Sequence, residues 1–137
     1  MNQKDQMFYR NNIARLLEPH SKRERNVVRI NPGNTIEHEL AKFYLNWKLV
    51  SAGHETVTEA IFIGRKGRAD VLDLDEGVAY EILASESEKD FEKKKGYYPP
   101  EIRVVPLKAE AVMKIIREKI ELNKWLIKTL VIKKIKK

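Results

Sequence analysis

The stretch from Arg68 to Leu83, RADVLDLDEGVAYEIL, constrains the fold more tightly than any other part of the chain. Val71, Leu72, Leu74, Val78, Tyr80 and Ile82 are strand formers, and Asp75-Glu76-Gly77 between them supplies turn chemistry, with Gly77 able to take a positive φ. The expectation is a β-hairpin with a two-residue loop, Asp75-Glu76, and with Leu74 facing Gly77. Asp70 then lies opposite Glu81 on the same face of the pair. Facing Cβ atoms stand roughly 5 Å apart, and like charges there are destabilising. A hard cation such as Mg²⁺, with oxygen ligands at about 2.0 to 2.1 Å, would turn that repulsion into coordination. Otherwise the two acids are neutralised from nearby, by Arg68 or Lys66. A slip of one residue would send Glu81 to the other face.

Composition narrows the classes. At 137 residues the chain suits one domain with a single core of sheet and helices. It has no cysteine, which excludes disulfides and thiolate zinc sites, and its three histidines are scattered. No apolar run reaches a membrane span and MNQKDQMFYRNN lacks a secretory h-region, so a soluble, cytoplasmic protein is expected. Charged residues make up 34%, chiefly Lys and Glu, which with the missing cysteine hints at a thermophile. Net charge is +7, favouring a polyanionic partner, nucleic acid before membrane.

Along the chain, Phe8, Ile13, Leu16 and Leu17 mark a helix over 5–17 that Pro19 closes. A basic loop follows, and Asn34 or Thr35 caps a second helix ending at Gly53, whose apolar stripe is Ile36, Leu40, Phe43, Trp47 and Val50. Thr56 to Ile63 reads as a strand, Gly64 to Gly67 as a basic turn, and the hairpin follows. Ser85 and Glu88 form a capping box for a charged helix that Gly96 ends. Ile102 to Leu107 is a last strand. From Ala109 runs a long helix with Val112, Ile116, Ile120 and Trp125 on its apolar face. The expected organisation is one domain: residues 1–33 as helix and basic loop, a core at 34–107, and 108–137 as helix and basic tail.

The core order is helix, three strands, helix, strand. With Glu37 in Ile36-Glu37-His38-Glu39-Leu40, Asp70 in Arg68-Ala69-Asp70-Val71-Leu72 and Glu81 in Tyr80-Glu81-Ile82-Leu83, it resembles the PD-(D/E)XK nuclease superfamily. It is most similar to small archaeal Holliday-junction resolvases and nuclease-like proteins of archaeal mobile elements. The resemblance covers residues 34–107 and rests on order and spacing. It implies an α/β, restriction-endonuclease-like fold: a mixed central sheet, with an extra N-terminal helix and a long C-terminal one.

By that resemblance Asp70, Glu81 and the carbonyl of Ile82 hold Mg²⁺, with Mn²⁺ as a substitute, and Glu37 reaches the metal directly or through water. Such a cation polarises a phosphodiester and lowers the pKa of a bound water. Glu39 competes with Glu37, which we prefer because Glu37, Ala41 and Tyr44 follow one helical line. A Glu in the first turn is also favoured by the helix dipole alone. His38 reads as a surface residue. The family's lysine two residues after the glutamate is Leu83 here. Either another cation replaces it (Arg68 opposite Leu83, Lys66, Lys89 or Lys93), or cleavage is lost and binding remains. Arginine is a poor general base but clamps phosphate well.

Arg65, Lys66 and Arg68 cluster beside the expected site, and Lys89 and Lys93 on the following helix extend that surface toward DNA. The last fifteen residues carry six lysines and no acid, which suits non-specific DNA binding or a solvated end. Three functions follow: a metal-dependent DNA endonuclease selective for DNA structure, a non-cleaving nucleic-acid-binding module on the same fold, and a dimeric assembly protein. A homodimer is implied by the resemblance.

Overall fold

The computed structural model describes residues 1–65, 67–84 and 88–135. Its elements are α1 (Gln3–Ala14), α2 (Pro19–Arg23), α3 (Ile36–Ser51), β1 (Thr56–Ala60), β2 (Ala69–Asp73), β3 (Val78–Leu83), α4 (Glu88–Lys95), β4 (Arg103–Lys108) and α5 (Ala109–Ile135). The fold is mixed α/β, with the expected order of helix, three strands, helix, strand running from α3 to β4. Pro19 does not close the first helix but opens α2, where its fixed φ suits the first helical position. The expected capping box falls partly on Ser85, outside the described residues. No described helix is long and apolar enough to cross a membrane.

The sheet order is β1-β2-β3-β4, antiparallel except for the parallel β3–β4 pair. The hairpin pairs Val71 with Tyr80, Leu72 with Ala79 and Asp73 with Val78, the register that the alternation predicts. Its turn is wider than the expected two-residue loop. Asp73 Oδ1 accepts the N–H groups of Asp75 and Glu76, and Gly77, at φ 64°, donates to the Asp73 carbonyl. An Asx-type turn has therefore replaced the tight loop, because Asp73 offers the backbone a local acceptor. Arg10 and Gln6 of α1 both bond Asp75 and staple the turn to the helix.

One sheet face is apolar. Ile13, Ala14 and Leu17 from the N-terminal segment pack there on Val57, Leu72, Leu74 and Ala79, with Phe62, Tyr98 and Ile102. Residues 25–29 run beside β1, where Arg25 bridges Val57 and Asn26 donates to the Thr56 carbonyl. Pairing of that kind blunts an exposed sheet edge.

The other face carries α3 and α5, and there the sequence expectation fails in an instructive way. Thr35 caps α3 as expected, accepting the His38 N–H, and Gly53 follows its end at φ 89°. The buried side of the helix, however, is His38, Ala41, Lys42 and Asn46, while Ile36, Leu40, Phe43 and Trp47 face outward. The polar line wins the interior because the sheet offers it partners: Asn46 bonds Thr56, and Lys42 bonds Glu59. Buried polar groups are tolerated when paired in this way. A smaller apolar cluster, Ala41, Ile82, Ala109 and Val112 with Tyr44 and Ile116, holds α3 and α5 to β3. Ile120 and Trp125, expected on the core side of α5, are exposed.

Candidate functional site

At the end of the sheet beside α3, ionisable side chains form a continuous chain of contacts. Lys42 is 0% exposed. Its Nζ stands 2.7 Å from Glu39 Oε2 and donates to Glu59 Oε1 at 2.9 Å. Glu59 Oε2 lies 4.0 Å from Arg68 Nη1. On the other side, His38 Nδ1 is 3.3 Å from Glu39 Oε1, and its Nε2 is 3.4 Å from Asp70 Oδ1. Asp70 Oδ2 accepts the Ile82 N–H at 2.7 Å.

Backbone irregularities aim these groups. Glu59 has φ 50°, the left-handed region, and its rung is missing between Thr58–Val71 and Ala60–Ala69. A non-glycine residue held there stores strain that its surroundings must over-determine, and such strain clusters at working sites. The contact with Lys42 supplies that constraint. In the hairpin the ladder stops at Val71–Tyr80, and the Asp70 carboxylate takes the Ile82 N–H beyond it.

Glu81 is buried on β3, and its carboxylate accepts a hydrogen bond from Tyr98. With Gly67, Arg68, Lys94, Tyr97 and Tyr98 it lines a cleft of about 180 Å³. Asp70 does not line that cleft; it turns toward α3 and His38. Ile82 packs in the α3–α5 cluster while its N–H meets Asp70. Glu37 is exposed and lines a separate cavity with Ala109, Glu110 and Arg117, so Glu39 is the α3 carboxylate that enters the network. Leu83 is buried. Arg65, Arg68, Lys89 and Lys93 are exposed, and Lys66 lies outside the described residues.

His38 is a correction: it is buried between two acids rather than on the surface. The hydrogen bond to Asp70 raises its pKa above the ordinary 6.5, outweighing the lowering by burial, and Glu39 adds to the rise. Burial pushes Glu39 upward, but hydrogen bonds from Lys42, Asn34 and the Asn31 N–H prevail and hold it at about 2. Sequence reasoning also missed Lys42, Glu59 and Tyr98. Two signals were readable. Glu59 is the one charge in the run Thr56–Ile63, and His38, Lys42 and Asn46 recur every four residues.

Among the described residues, one set of three His, Asp or Glu ligand atoms lies within 4.8 Å of one another: His54, Asp73 and Asp75. It could hold a metal ion, but His54 Nδ1 is 2.8 Å from Asp73 Oδ2, and Arg10 already bonds both oxygens of Asp75. Searches against protein-family models, curated proteins and solved structures returned no match to this chain.

Proposed function

We propose that this chain is a metal-dependent nuclease acting on DNA, with its reaction centre at the end of the sheet that carries Asp70 and Glu81. One observation carries the reading: Glu39, Glu59, Asp70 and Glu81, four largely buried carboxylates, share one end of the sheet with a single fully buried lysine. So many desolvated acids are costly without cations. The donor set also suits a hard cation, since Asp70 and Glu81 both offer carboxylate oxygens. When bound, Mg²⁺ or Mn²⁺ would polarise the phosphodiester and supply a hydroxide-like water.

The chain's own residues do the rest. Arg68 and Lys94 border the cleft that holds Glu81, so they meet the phosphate and fix its position. Tyr98 orients the Glu81 carboxylate by its hydrogen bond. Lys42 carries the positive charge that Leu83 cannot. From beneath, it holds Glu39 and Glu59 and so keeps α3 and β1 in place around Asp70.

A non-cleaving nucleic-acid-binding module is the second reading. It is favoured by the protein donors on the two acids: Ile82 N–H and His38 at Asp70, Tyr98 at Glu81. The test is cleavage of duplex, flap and four-way-junction DNA with Mg²⁺ or Mn²⁺. Metal-dependent nicking lost in Asp70→Ala and Glu81→Ala is expected. Salt-sensitive binding that both variants retain, with no nicking by the parent protein, would replace the first reading by the second.

A further inference from the structure

Tyr97 and Tyr98 are neighbours in the chain with opposite placements, 45% and 8% exposed. Tyr98 packs edge-on against Phe62, with ring centroids 5.5 Å apart, and its hydroxyl meets Glu81. Tyr97 stays half exposed and lines the same cleft as Glu81. Its place is fixed by its surroundings. The Tyr97 and Tyr98 N–H groups donate to the Lys94 and Lys95 carbonyls at 2.9 and 3.2 Å. Pro99 follows, and a proline restricts the backbone of the residue before it. Gly67, at φ 84°, brings bare backbone beside the ring: a Cβ there would stand 3.9 Å from Tyr97 Cδ2. A side chain already held in place loses little entropy when it binds a ligand.

The rest of the cleft is charged. Arg68, Lys94 and Glu81 share its walls with Tyr97 around a volume of about 180 Å³. The Arg68 side chain is 53% exposed. Cations beside a half-exposed ring match the two chemistries of a nucleotide, phosphate for the cations and base for the ring. Bases paired in a duplex are stacked on their neighbours and present only their edges in the grooves. An unpaired base offers its flat face, and stacking on an aromatic side chain tolerates any sequence because every base has a π-face.

We infer that this cleft receives one unpaired nucleotide of a DNA strand, with its base against Tyr97 and its phosphate between Arg68 and Lys94. Given the proposed action on DNA, on which this assignment rests, the substrate class is DNA with unpaired nucleotides: strand ends, flaps and gaps in preference to uninterrupted duplex.

Fluorescence anisotropy with labelled oligo(dT) and with a blunt duplex of equal length, in EDTA and at a fixed salt concentration, tests it. Tyr97→Leu should weaken oligo(dT) binding at least about fivefold, the share of a single base–aromatic stack, and leave duplex binding unchanged. Tyr97→Trp should keep the affinity, and oligo(dT) should quench its emission beyond any quenching of Trp47 and Trp125 in the parent protein. That second variant gives a reading even if Tyr97→Leu does not fold. Equal losses for both DNAs in Tyr97→Leu, unchanged oligo(dT) binding, or no added quenching in Tyr97→Trp would overturn the assignment. EDTA keeps metal-dependent cleavage out of the measurement. A protein with the expected Tyr97 pattern that cuts nothing with Mg²⁺ or Mn²⁺ loses the nuclease reading and keeps the assigned cleft. One that nicks DNA while its Tyr97→Leu variant binds oligo(dT) like the parent loses the cleft alone.

Discussion

Replacing Lys42 with methionine tests the heart of the site. Methionine keeps the length and most of the volume of the stem, so the change removes the charge and little packing. The amine is fully enclosed and serves two carboxylates at 2.7 and 2.9 Å, whose side chains are only 12% and 5% exposed. Removing one partner of a buried ion pair strands the other and costs about 3–5 kcal/mol. Here two acids are stranded, though Glu39 keeps its bonds from Asn31 and Asn34, so the cost should fall within that range. Urea unfolding reads it directly. With slopes of about 1–3 kcal/mol per molar, the midpoint should drop by about 2 M. Adding Glu59→Gln to Lys42→Met should recover part of the loss, because the deepest stranded charge is then gone. The deficit should also shrink as pH falls toward about 4, where carboxylates begin to protonate. A Lys42→Met protein within about 1 kcal/mol of the parent at neutral pH would refute the reasoning, since the lysine would then carry no enclosed charge pair.

Glu39 stabilises the fold through a pKa of about 2 against its ordinary 4.5. That contribution, about 3 kcal/mol, is present above pH 4.5 and lost as pH falls toward 2, so Glu39→Gln should flatten acid unfolding curves over that window. His38 has a raised pKa, so its contribution is complete below 6.5 and lost as pH rises through the folded midpoint. Its ring protons followed by NMR should titrate above 6.5, and Asp70→Asn should bring the midpoint down; a midpoint unmoved by that change would exclude Asp70 as the main cause. Gly77→Ala should cost about 1–2 kcal/mol in the same urea assay. The position has φ 64°, and a Cβ there would stand 3.2 Å from Ile13 Cδ1 and 3.3 Å from the Tyr9 hydroxyl.

What could be read directly from the residues was local. The hairpin register followed from strict alternation, since a slip of one residue would have put a whole apolar set in water. The ends of α3 followed from Thr35 and Gly53, and the α/β order from the spacing of strand runs and turn residues. The same reading marked Asp70 and Glu81 as facing carboxylates, but Asp70 turns toward His38 while Glu81 meets Tyr98. The facing of α3 was not legible. A hydrophobic stripe normally points inward, yet here Lys42, His38 and Asn46 take the interior because Glu59, Asp70 and Thr56 arrive from strands far along the chain to pair with them. Burial of a charge is decided by its partner, and partners distant in sequence are brought together only by tertiary structure. The same holds for Glu37 and Glu39, two residues apart on one helix. The chain alone could not say which of them turns toward the lysine, because that depends on how the helix rolls on the sheet.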